Sequence, residues 1–356
     1  MIIFSPGPSN ISERVRHAML APDIGHRESE FGKVIAAIRS DIRRVVGLSP
    51  AAAHSVVLLG GSGSVAIESI VAAARPLGRL LVIANGPYGE RAAAMAQHHG
   101  VDVDEWRLAW GEEIRLDALD TRLAGGRHGA VYVVHHETAT GRLNPLREIA
   151  AAAKRNGALI LADTVSSIVG EPIDIEGWQL DAVIGSANKC LRGVPGAAFV
   201  VASPAFRAAA AAQRAQHYSN LDLHASAQDA GEFPFTPPLH SLFALREALA
   251  ETLDEGVQAR QAHYAELMRL TLDGLGALGV ETLLPRAAYG RTLVASHLPR
   301  GFTYEALHAP LKKAGFCIYA AQGPLKATAF RLGLIGHFGS DAVEGLLREM
   351  KAVLAR

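Results

Sequence analysis

Residues 181–196 read DAVIGSANKCLRGVPG, a short apolar run followed by a polar turn that contains Lys189. The apolar run predicts a buried strand over residues 181–185. The chain has seven lysines against 28 arginines, and Lys189 is the one that lies just past a predicted core strand. A desolvated lysine near other cations has a lowered pKa and can form an imine with a carbonyl group. A surface turn would also explain Lys189, so its neighbours in the fold must decide its role.

Similar apolar runs surround this one and alternate with Ala-rich segments that are typical of helices. The predicted strands are residues 56–59, 80–84, 131–134, 159–162, 181–185 and 197–202, and helices are predicted over residues 65–75 and 91–99. Strands alternating with helices indicate an α/β fold with a mostly parallel sheet covered on both faces. Ligands of such sheets bind outside the carboxyl ends of the strands. The residues after each run are therefore the candidate functional residues.

The pattern changes after residue 240 and predicts a smaller α+β domain at the C-terminus. A long helix is predicted over residues 242–269, and residues 304–314 and the segment from residue 341 are also predicted to be helical. The later strands are predicted at residues 292–296, 316–319 and 329–334. We expect an N-terminal segment (residues 1–20) that contributes to the small domain or a dimer interface, a large domain (21–240), connecting helices (241–280) and a small domain (281–356).

The composition narrows the class of protein. Of the 356 residues 49% are apolar, and 35 Lys and Arg balance 35 Asp and Glu. That balance argues against a nucleic-acid binder, which normally has a basic surplus. Cys190 and Cys317 are the two cysteines, too few for a disulfide framework or a metal site. No signal peptide or membrane span is expected, which favours a cytoplasmic protein.

The run at residues 56–59 leads into Gly60-Gly61-Ser62-Gly63-Ser64 and then a predicted helix. Small residues at a helix N-terminus can cradle a phosphate, although a simple glycine turn has the same composition. Residues 61–66 also fit the dinucleotide pattern of a nicotinamide-dependent dehydrogenase. That pattern requires an acidic residue after the next strand, where this chain has Asn85. The dehydrogenase remains a weaker alternative.

Other strand ends add an aromatic residue, hydroxyls and an acid. Tyr88 lies in the turn after residues 80–84, Thr138 and Thr140 follow residues 131–134, and Asp163 directly follows residues 159–162. Taken singly, these are also explained by a turn tyrosine or a helix-capping aspartate. Taken together with the cradle and Lys189, they form the set that a pyridoxal phosphate (PLP) site needs. In that site Asp163 pairs with the pyridine nitrogen of the cofactor.

Five stretches resemble class V aminotransferases of the fold-type I PLP enzymes, and the resemblance covers nearly the whole chain. The core stretches GSGS (61–64), HETATGRLNP (136–145) and especially SANKCLRGVPG (186–196) resemble the branch that uses 2-aminoethylphosphonate and pyruvate. The N-terminal stretches PGPSN (6–10) and GHRESEF (25–31) resemble the alanine–glyoxylate and serine–pyruvate branch. The resemblance implies a large domain with a sheet of the seven-stranded type between helices.

The resemblance also implies roles for individual residues. Lys189 would carry the cofactor as a Schiff base and shuttle the proton, and Asp163 would pair with the ring nitrogen. The expected cofactor contacts are Ser62, Gly63 and Ser64 on the phosphate, Asn188 beside it, Tyr88 and Val165 on the ring faces, and Thr138 on the ring hydroxyl. Thr236 would reach the phosphate of the partner subunit in a homodimer with shared sites. Arg331 would bind the acidic group of the substrate, and Arg27 and His26 would add positive charge to the substrate site.

The reaction implied is 2-aminoethylphosphonate plus pyruvate giving phosphonoacetaldehyde plus L-alanine, with no metal and no macromolecular partner beyond a second copy of the chain. The nearest alternative is an alanine–glyoxylate or serine–pyruvate aminotransferase, which Gly25, His26 and Arg27 favour. A cysteine desulfurase would need a cysteine on a mobile loop. Cys317 lies in an apolar run and is predicted to be a buried strand residue instead.

Overall fold

A seven-stranded sheet forms the centre of the protein in the computed structural model, which describes residues 1–213 and 217–355. In chain order the strands are β1 (Ile2–Ile3), β2 (Ser55–Gly60), β3 (Arg79–Ala84), β4 (Val103–Arg107), β5 (His128–Val134), β6 (His136–Glu137), β7 (Arg142–Leu143), β8 (Leu159–Asp163), β9 (Ala182–Ser186), β10 (Ala197–Ala202), β11 (Leu293–His297), β12 (Phe316–Cys317), β13 (Tyr319–Ala320) and β14 (Ala329–Gly333). The helices are α1 (Glu13–Ala18), α2 (Ser29–Val45), α3 (Gly63–Ala73), α4 (Pro87–His98), α5 (Leu116–Gly125), α6 (Leu146–Arg155), α7 (Pro204–Ala212), α8 (Leu221–Asp229), α9 (Leu239–Glu255), α10 (Val257–Ala277), α11 (Tyr304–Lys313) and α12 (Ser340–Leu354).

The strand order in the central sheet is β2-β10-β9-β8-β5-β3-β4, and all its pairs are parallel except those of β10. The ten residues 187–196 join β9 to β10. A parallel return needs a crossover of a dozen residues or more, so the short link makes β10 antiparallel. The predicted α/β fold with a mostly parallel sheet is confirmed.

Alternate residues of each central strand enter two different cores. On β5, Val131 and Val133 pack with α2, α5 and α6, while Tyr132 and Val134 pack with α3 and α4 on the opposite face. Burial on both faces explains why these strands are continuous apolar runs in the sequence. The pairing of Val134 with Asp163, and of Asp163 with Ile184, brings three strand ends to one edge of the sheet.

A third core joins the two ends of the chain. It contains Phe4 together with residues of α10, α11, α12 and the antiparallel sheet β11-β14-β13. The short strand β1 pairs in parallel with β12, so that Ile2 faces Phe316. The predicted domain limits stay predictions, but the first four residues pack with the C-terminal elements.

Some predicted elements are wrong in detail. The long helix over residues 242–269 is two helices, because Gly256 adopts φ +84 between α9 and α10 and ends the first of them. The single strand over residues 316–319 is divided into β12 and β13, and Cys317 is half-buried instead of buried. The sequence also failed to predict β1 and β4, which lie at sheet edges and lack long apolar runs.

Within the described residues, no helix is long and apolar enough to cross a membrane.

Candidate active site

Lys189 lies in the turn after β9, at the edge of the sheet where the other strand ends meet. Its Nζ donates a hydrogen bond to the carbonyl oxygen of Pro6. Burial lowers the pKa of Lys189 to about 8, against the opposing effects of Cys190 and Asp163. An amine with such a pKa is partly neutral near pH 7 and can act as a nucleophile or a base.

The turn that carries Lys189 is fastened to α10 through its backbone carbonyls. The Tyr264 hydroxyl donates to the Cys190 oxygen at 3.0 Å. The Arg260 guanidinium donates to the oxygens of Cys190 and Leu191 at 3.3 and 3.4 Å. These buried contacts fix the backbone from which the lysine side chain projects.

Asp163 ends β8 and is 5% exposed. Its carboxylate accepts hydrogen bonds from the Tyr132 hydroxyl at 3.2 Å and from the backbone N–H of Val165 at 3.0 Å. Burial raises the pKa of Asp163, while these hydrogen bonds and the charge of Lys189 oppose the rise. A cation beside the carboxylate would return it to its charged form.

The N-terminus of α3 offers free backbone N–H groups to the cavity. Ser62 occupies the N-cap position, yet its side chain makes no capping hydrogen bond. A Cβ at Gly63 would lie 3.0 and 3.2 Å from the methyl carbons of Val165, so a larger residue would press on Val165. Beside it, the Ser186 hydroxyl donates to Asn188 Oδ1 at 2.6 Å. An uncapped helix end of this kind can bind an anion.

These groups surround one cavity of about 630 Å³, including its open mouth. The lining includes eight residues that the sequence predicted, namely Ser62, Gly63, Ser64, Tyr88, Asp163, Val165, Asn188 and Lys189. It also includes Arg91, whose guanidinium carbon lies 5.0 Å from the centre of the Tyr88 ring. Arg91 was missed, although its position one helical turn after Tyr88 could have indicated it.

Arg331 and Thr138 are beside each other and do not line this cavity directly. The Arg331 guanidinium donates to the oxygen of Thr138 at 3.2 Å and to that of Ala320 at 3.2 and 3.0 Å. Burial lowers the pKa of Arg331, and the neighbouring Tyr88 and Glu137 oppose that effect. The guanidinium is therefore held in one orientation by backbone carbonyls.

Three predicted residues do not reach the cavity of their own chain. Thr236 is exposed, Arg27 is exposed and lies 3.4 Å from Glu232, and His26 is partly exposed. A single chain therefore does not bring these residues to Lys189.

Glu137 is a buried residue beside the site, and the sequence did not predict a role for it. It is fully buried, and its carboxylate accepts the backbone N–H groups of Ala139 at 3.0 Å and Tyr88 at 3.3 Å. Burial raises its pKa to about 8. Glu137 thus ties the turn of Tyr88 to the turn of Thr138.

In the part of the chain that the structure describes, no three His, Cys, Asp or Glu side chains converge as a metal site. Cys190, next to Lys189, does not offer a reactive thiolate. Cys190 is fully buried, and burial raises its pKa to about 12.

The fold and this site define an aminotransferase. The family model "Aminotransferase class-V" matches residues 10–328, so the chain belongs to that family. Proteins named 2-aminoethylphosphonate–pyruvate transaminase are similar to it over nearly its whole length. The protein from Burkholderia thailandensis is 36% identical over 359 residues (99% of this chain, 96% of that protein), and the protein from Pseudomonas putida W619 is 35% identical over 367 residues (99% and 98%). Among solved structures, alanine–glyoxylate aminotransferase from Nostoc sp. is 27% identical with a TM-score of 0.91, covering 99% of this chain and 95% of that one.

Proposed function

We propose that this aminotransferase binds pyridoxal 5'-phosphate on Lys189 and transfers the amino group of 2-aminoethylphosphonate to pyruvate, as a cytoplasmic homodimer. The products are phosphonoacetaldehyde and L-alanine. The observation that carries the proposal is the cavity in which the low-pKa amine of Lys189, the buried carboxylate of Asp163 and the uncapped end of α3 meet. The 33–36% identity to transaminases named for these substrates supports the choice of reaction.

The residues around the cavity support the binding of this cofactor. The N–H groups at Gly63 and Ser64, with the Ser62 hydroxyl, would hold the phosphate, and Asn188 would lie beside it. Glycine at position 63 lets the end of the helix lie close to Val165, which a Cβ there would contact at 3.0 and 3.2 Å. Tyr88 and Val165 would cover the two faces of the ring. Thr138 would meet the ring hydroxyl.

Asp163 would hold a proton on the ring nitrogen. The buried carboxylate already accepts two hydrogen bonds, from Tyr132 and Val165, which favour its charged form. When bound, pyridoxal phosphate supplies an electron-accepting ring that stabilises the amine-bearing carbon after it loses a proton.

Lys189 would move that proton. Its Nζ would take the proton from the amine-bearing carbon of the substrate. It would later deliver that proton to the cofactor. A pKa of about 8 suits both steps near neutral pH, because the amine can then gain and lose a proton readily.

Arg331 would bind the anionic group of both substrates. A guanidinium can form two parallel hydrogen bonds to a phosphonate or to a carboxylate. Its contacts with the oxygens of Thr138 and Ala320 fix the plane of the fork before a substrate arrives. In a homodimer Thr236, His26 and Arg27 would come from the partner subunit to the phosphate and the substrate.

A second candidate is transfer between L-alanine or L-serine and glyoxylate or pyruvate. It is favoured by Gly25, His26 and Arg27 and by the likeness to the Nostoc alanine–glyoxylate aminotransferase. Both candidates use the same cofactor residues and differ in the anion beside Arg331.

The test is to incubate the purified protein with 2-aminoethylphosphonate and pyruvate, and to follow the reaction by phosphorus NMR and by assay of alanine. We expect equal amounts of phosphonoacetaldehyde and L-alanine to appear. L-alanine with glyoxylate serves as the parallel reaction. Turnover of that pair with no change in the phosphonate signal would contradict the proposal in favour of the second candidate.

A further inference from the structure

The segment from Ser5 to Pro8, here called the arm, reaches from the third core to Lys189, which lines the cavity. We propose that the carbonyl group of Pro6 positions the amine of Lys189 for proton transfer, so that the arm is part of the active site. This inference rests on the proposed function, since Lys189 must be the group that moves the proton. The Pro-Gly-Pro stretch thereby acquires a role that nothing in the composition of the stretch indicates.

The contact between the arm and the lysine is close along the whole end of the side chain. Lys189 Nζ lies 2.5 Å from the Pro6 oxygen. Gly7 has φ +118, and a Cβ there would lie 2.7 Å from Cδ, 2.9 Å from Nζ and 3.0 Å from Cε of Lys189. A side chain at position 7 would therefore displace the lysine or the arm.

The arm is itself firmly held. The backbone N–H of Gly7 donates to Ser5 Oγ at 3.0 Å, and Ser5 is 1% exposed. The backbone N–H of Gly333 donates to the Phe4 oxygen at 2.9 Å. A Cβ at Gly333 would lie 2.0 Å from the Ser5 oxygen, so the arm lies directly against β14. Proline rings at positions 6 and 8 restrict the backbone further.

The same strand carries Arg331, two residues before Gly333. The group proposed to bind the substrate anion and the carbonyl that holds the lysine amine are therefore parts of one packed unit. Any movement of this unit relative to the central sheet shifts both together. The arm thus links the position of the substrate anion to the position of the lysine amine.

The chemical consequence concerns the direction of a lone pair. A neutral amine has two N–H bonds and one lone pair, and the lone pair must point at the proton that is removed. A carbonyl that accepts one N–H bond limits rotation about the last carbon–nitrogen bond. It also reduces the orientations that the long lysine side chain would otherwise sample.

The main test replaces Gly7 by alanine and compares it with Gly301→Ala. Gly301 also has a positive φ (+84), but nothing lies within 4 Å of a Cβ there, so this control carries the backbone strain alone. In the half-reaction with 2-aminoethylphosphonate we expect Gly7→Ala to lower the limiting rate by about tenfold or more, with the half-saturating concentration little changed. Damage to Arg331 would instead raise the half-saturating concentration.

A second readout does not depend on turnover. The pH at which the absorption of the bound cofactor changes should move by about half a unit or more in Gly7→Ala and stay in place in Gly301→Ala. A limiting rate and a pH midpoint equal to those of Gly301→Ala would overturn the inference.

A second pair of variants, with smaller structural changes, tests the inference if Gly7→Ala does not fold. Ser5→Ala removes the acceptor of the Gly7 N–H without adding atoms near Lys189, and we expect about a threefold slower limiting rate. Its control is Ser9→Ala, which also removes a hydroxyl near the N-terminus. That hydroxyl donates a hydrogen bond to the Ile3 oxygen at 2.7 Å. Equal rates in these two variants would overturn the inference.

The unmodified protein separates this inference from the proposed function. If it reacts with L-alanine and not with the phosphonate, the proposed substrate is wrong, and the variant pairs are compared with L-alanine instead. If the purified protein shows no cofactor absorption and gains none when pyridoxal phosphate is added, the proposed function and this inference both fail.

Discussion

At the scale of single residues, the chemistry depends on how burial changes the charge of Lys189 and Asp163. Burial disfavours the charged form of each group, so it lowers the pKa of the lysine and raises that of the aspartate. Each effect has a measurable consequence in the cofactor-free and the cofactor-bound protein.

For Lys189 we predict a pH dependence of cofactor attachment. Only the neutral amine attacks a carbonyl, and burial lowers the pKa of Lys189 from 10.5 to about 8. The rate at which added pyridoxal phosphate attaches to cofactor-free protein should rise with pH up to about 8 and then level off. Stopped-flow absorbance measures it, with a free lysine derivative as the control. A rate that keeps rising toward pH 10.5 would show that the amine is not desolvated.

For Asp163 we predict that Asp163→Asn slows amino transfer by about 100-fold, the scale on which losing one electrostatic stabiliser lowers a catalytic rate, because the amide cannot hold the ring proton. Tyr132→Phe is the control: it removes one hydrogen bond at 3.2 Å and leaves the carboxylate and its bond from Val165. That variant should lose only about tenfold. Near-normal turnover in Asp163→Asn would remove the aspartate from the mechanism.

The sequence predicted Asp163 because it directly follows an apolar run, and Lys189 because it lies just past one. The position of strand ends can be predicted from the local sequence. It could not predict the contact of Pro6 with Lys189, which joins residues 183 positions apart. Glu137 was missed for the same reason, since its partner Tyr88 lies in a separate strand-to-helix turn. Contacts of this kind depend on the packing of whole elements.

At the scale of elements, the N-terminus of α3 is the feature with the clearest role. Its N-cap serine makes no capping hydrogen bond, and Gly63 lets the end of the helix lie close to Val165. Burial on both faces made the inner strands easy to predict from their apolar runs. The edge strands β1 and β4, and the break between α9 and α10 at Gly256, depend on sheet position and on one backbone angle.

We predict that Gly63→Ala weakens binding of pyridoxal phosphate by about tenfold or more, because the new Cβ would compete with the phosphate and press on Val165. Gly276→Ala in α10 is the matched control, since nothing lies within 4 Å of a Cβ there. That control should bind the cofactor normally and be more stable by up to about 1 kcal/mol. Titration of the cofactor absorbance gives the affinities, and equal affinities in both variants would contradict the proposed phosphate site.

At the scale of the whole molecule, the core that contains Phe4 places the N-terminal segment of the chain against Lys189 of the central sheet. Phe4 and Arg331 belong to the same packed unit as α12, while Lys189 and Asp163 belong to the central sheet. Thr236, the remaining predicted phosphate contact, lies outside the cavity of its own chain. A shared site between two copies reconciles its exposure with its proposed role.

Hybrid dimers test this shared site. We predict that mixing Lys189→Ala chains with Thr236→Val chains restores one fully intact site per hybrid dimer, because both lesions then fall in the same site. The measurement is the fraction of sites that bind pyridoxal phosphate with native affinity. As a control, Lys189→Ala mixed with Asp163→Asn should restore no activity, since both residues line one cavity of one chain. Failure of the first mixture to recover would place Thr236 outside the partner's site.

The central claim is tested most directly by a single half-reaction. Purified protein with its cofactor is mixed with 2-aminoethylphosphonate, and the absorption of the cofactor is followed, with L-serine in a parallel sample. We predict conversion to the amino form of the cofactor by the phosphonate, much faster than by L-serine. No response to the phosphonate together with a fast response to L-serine would contradict the proposed substrate, and the absence of any cofactor absorption would contradict the whole account.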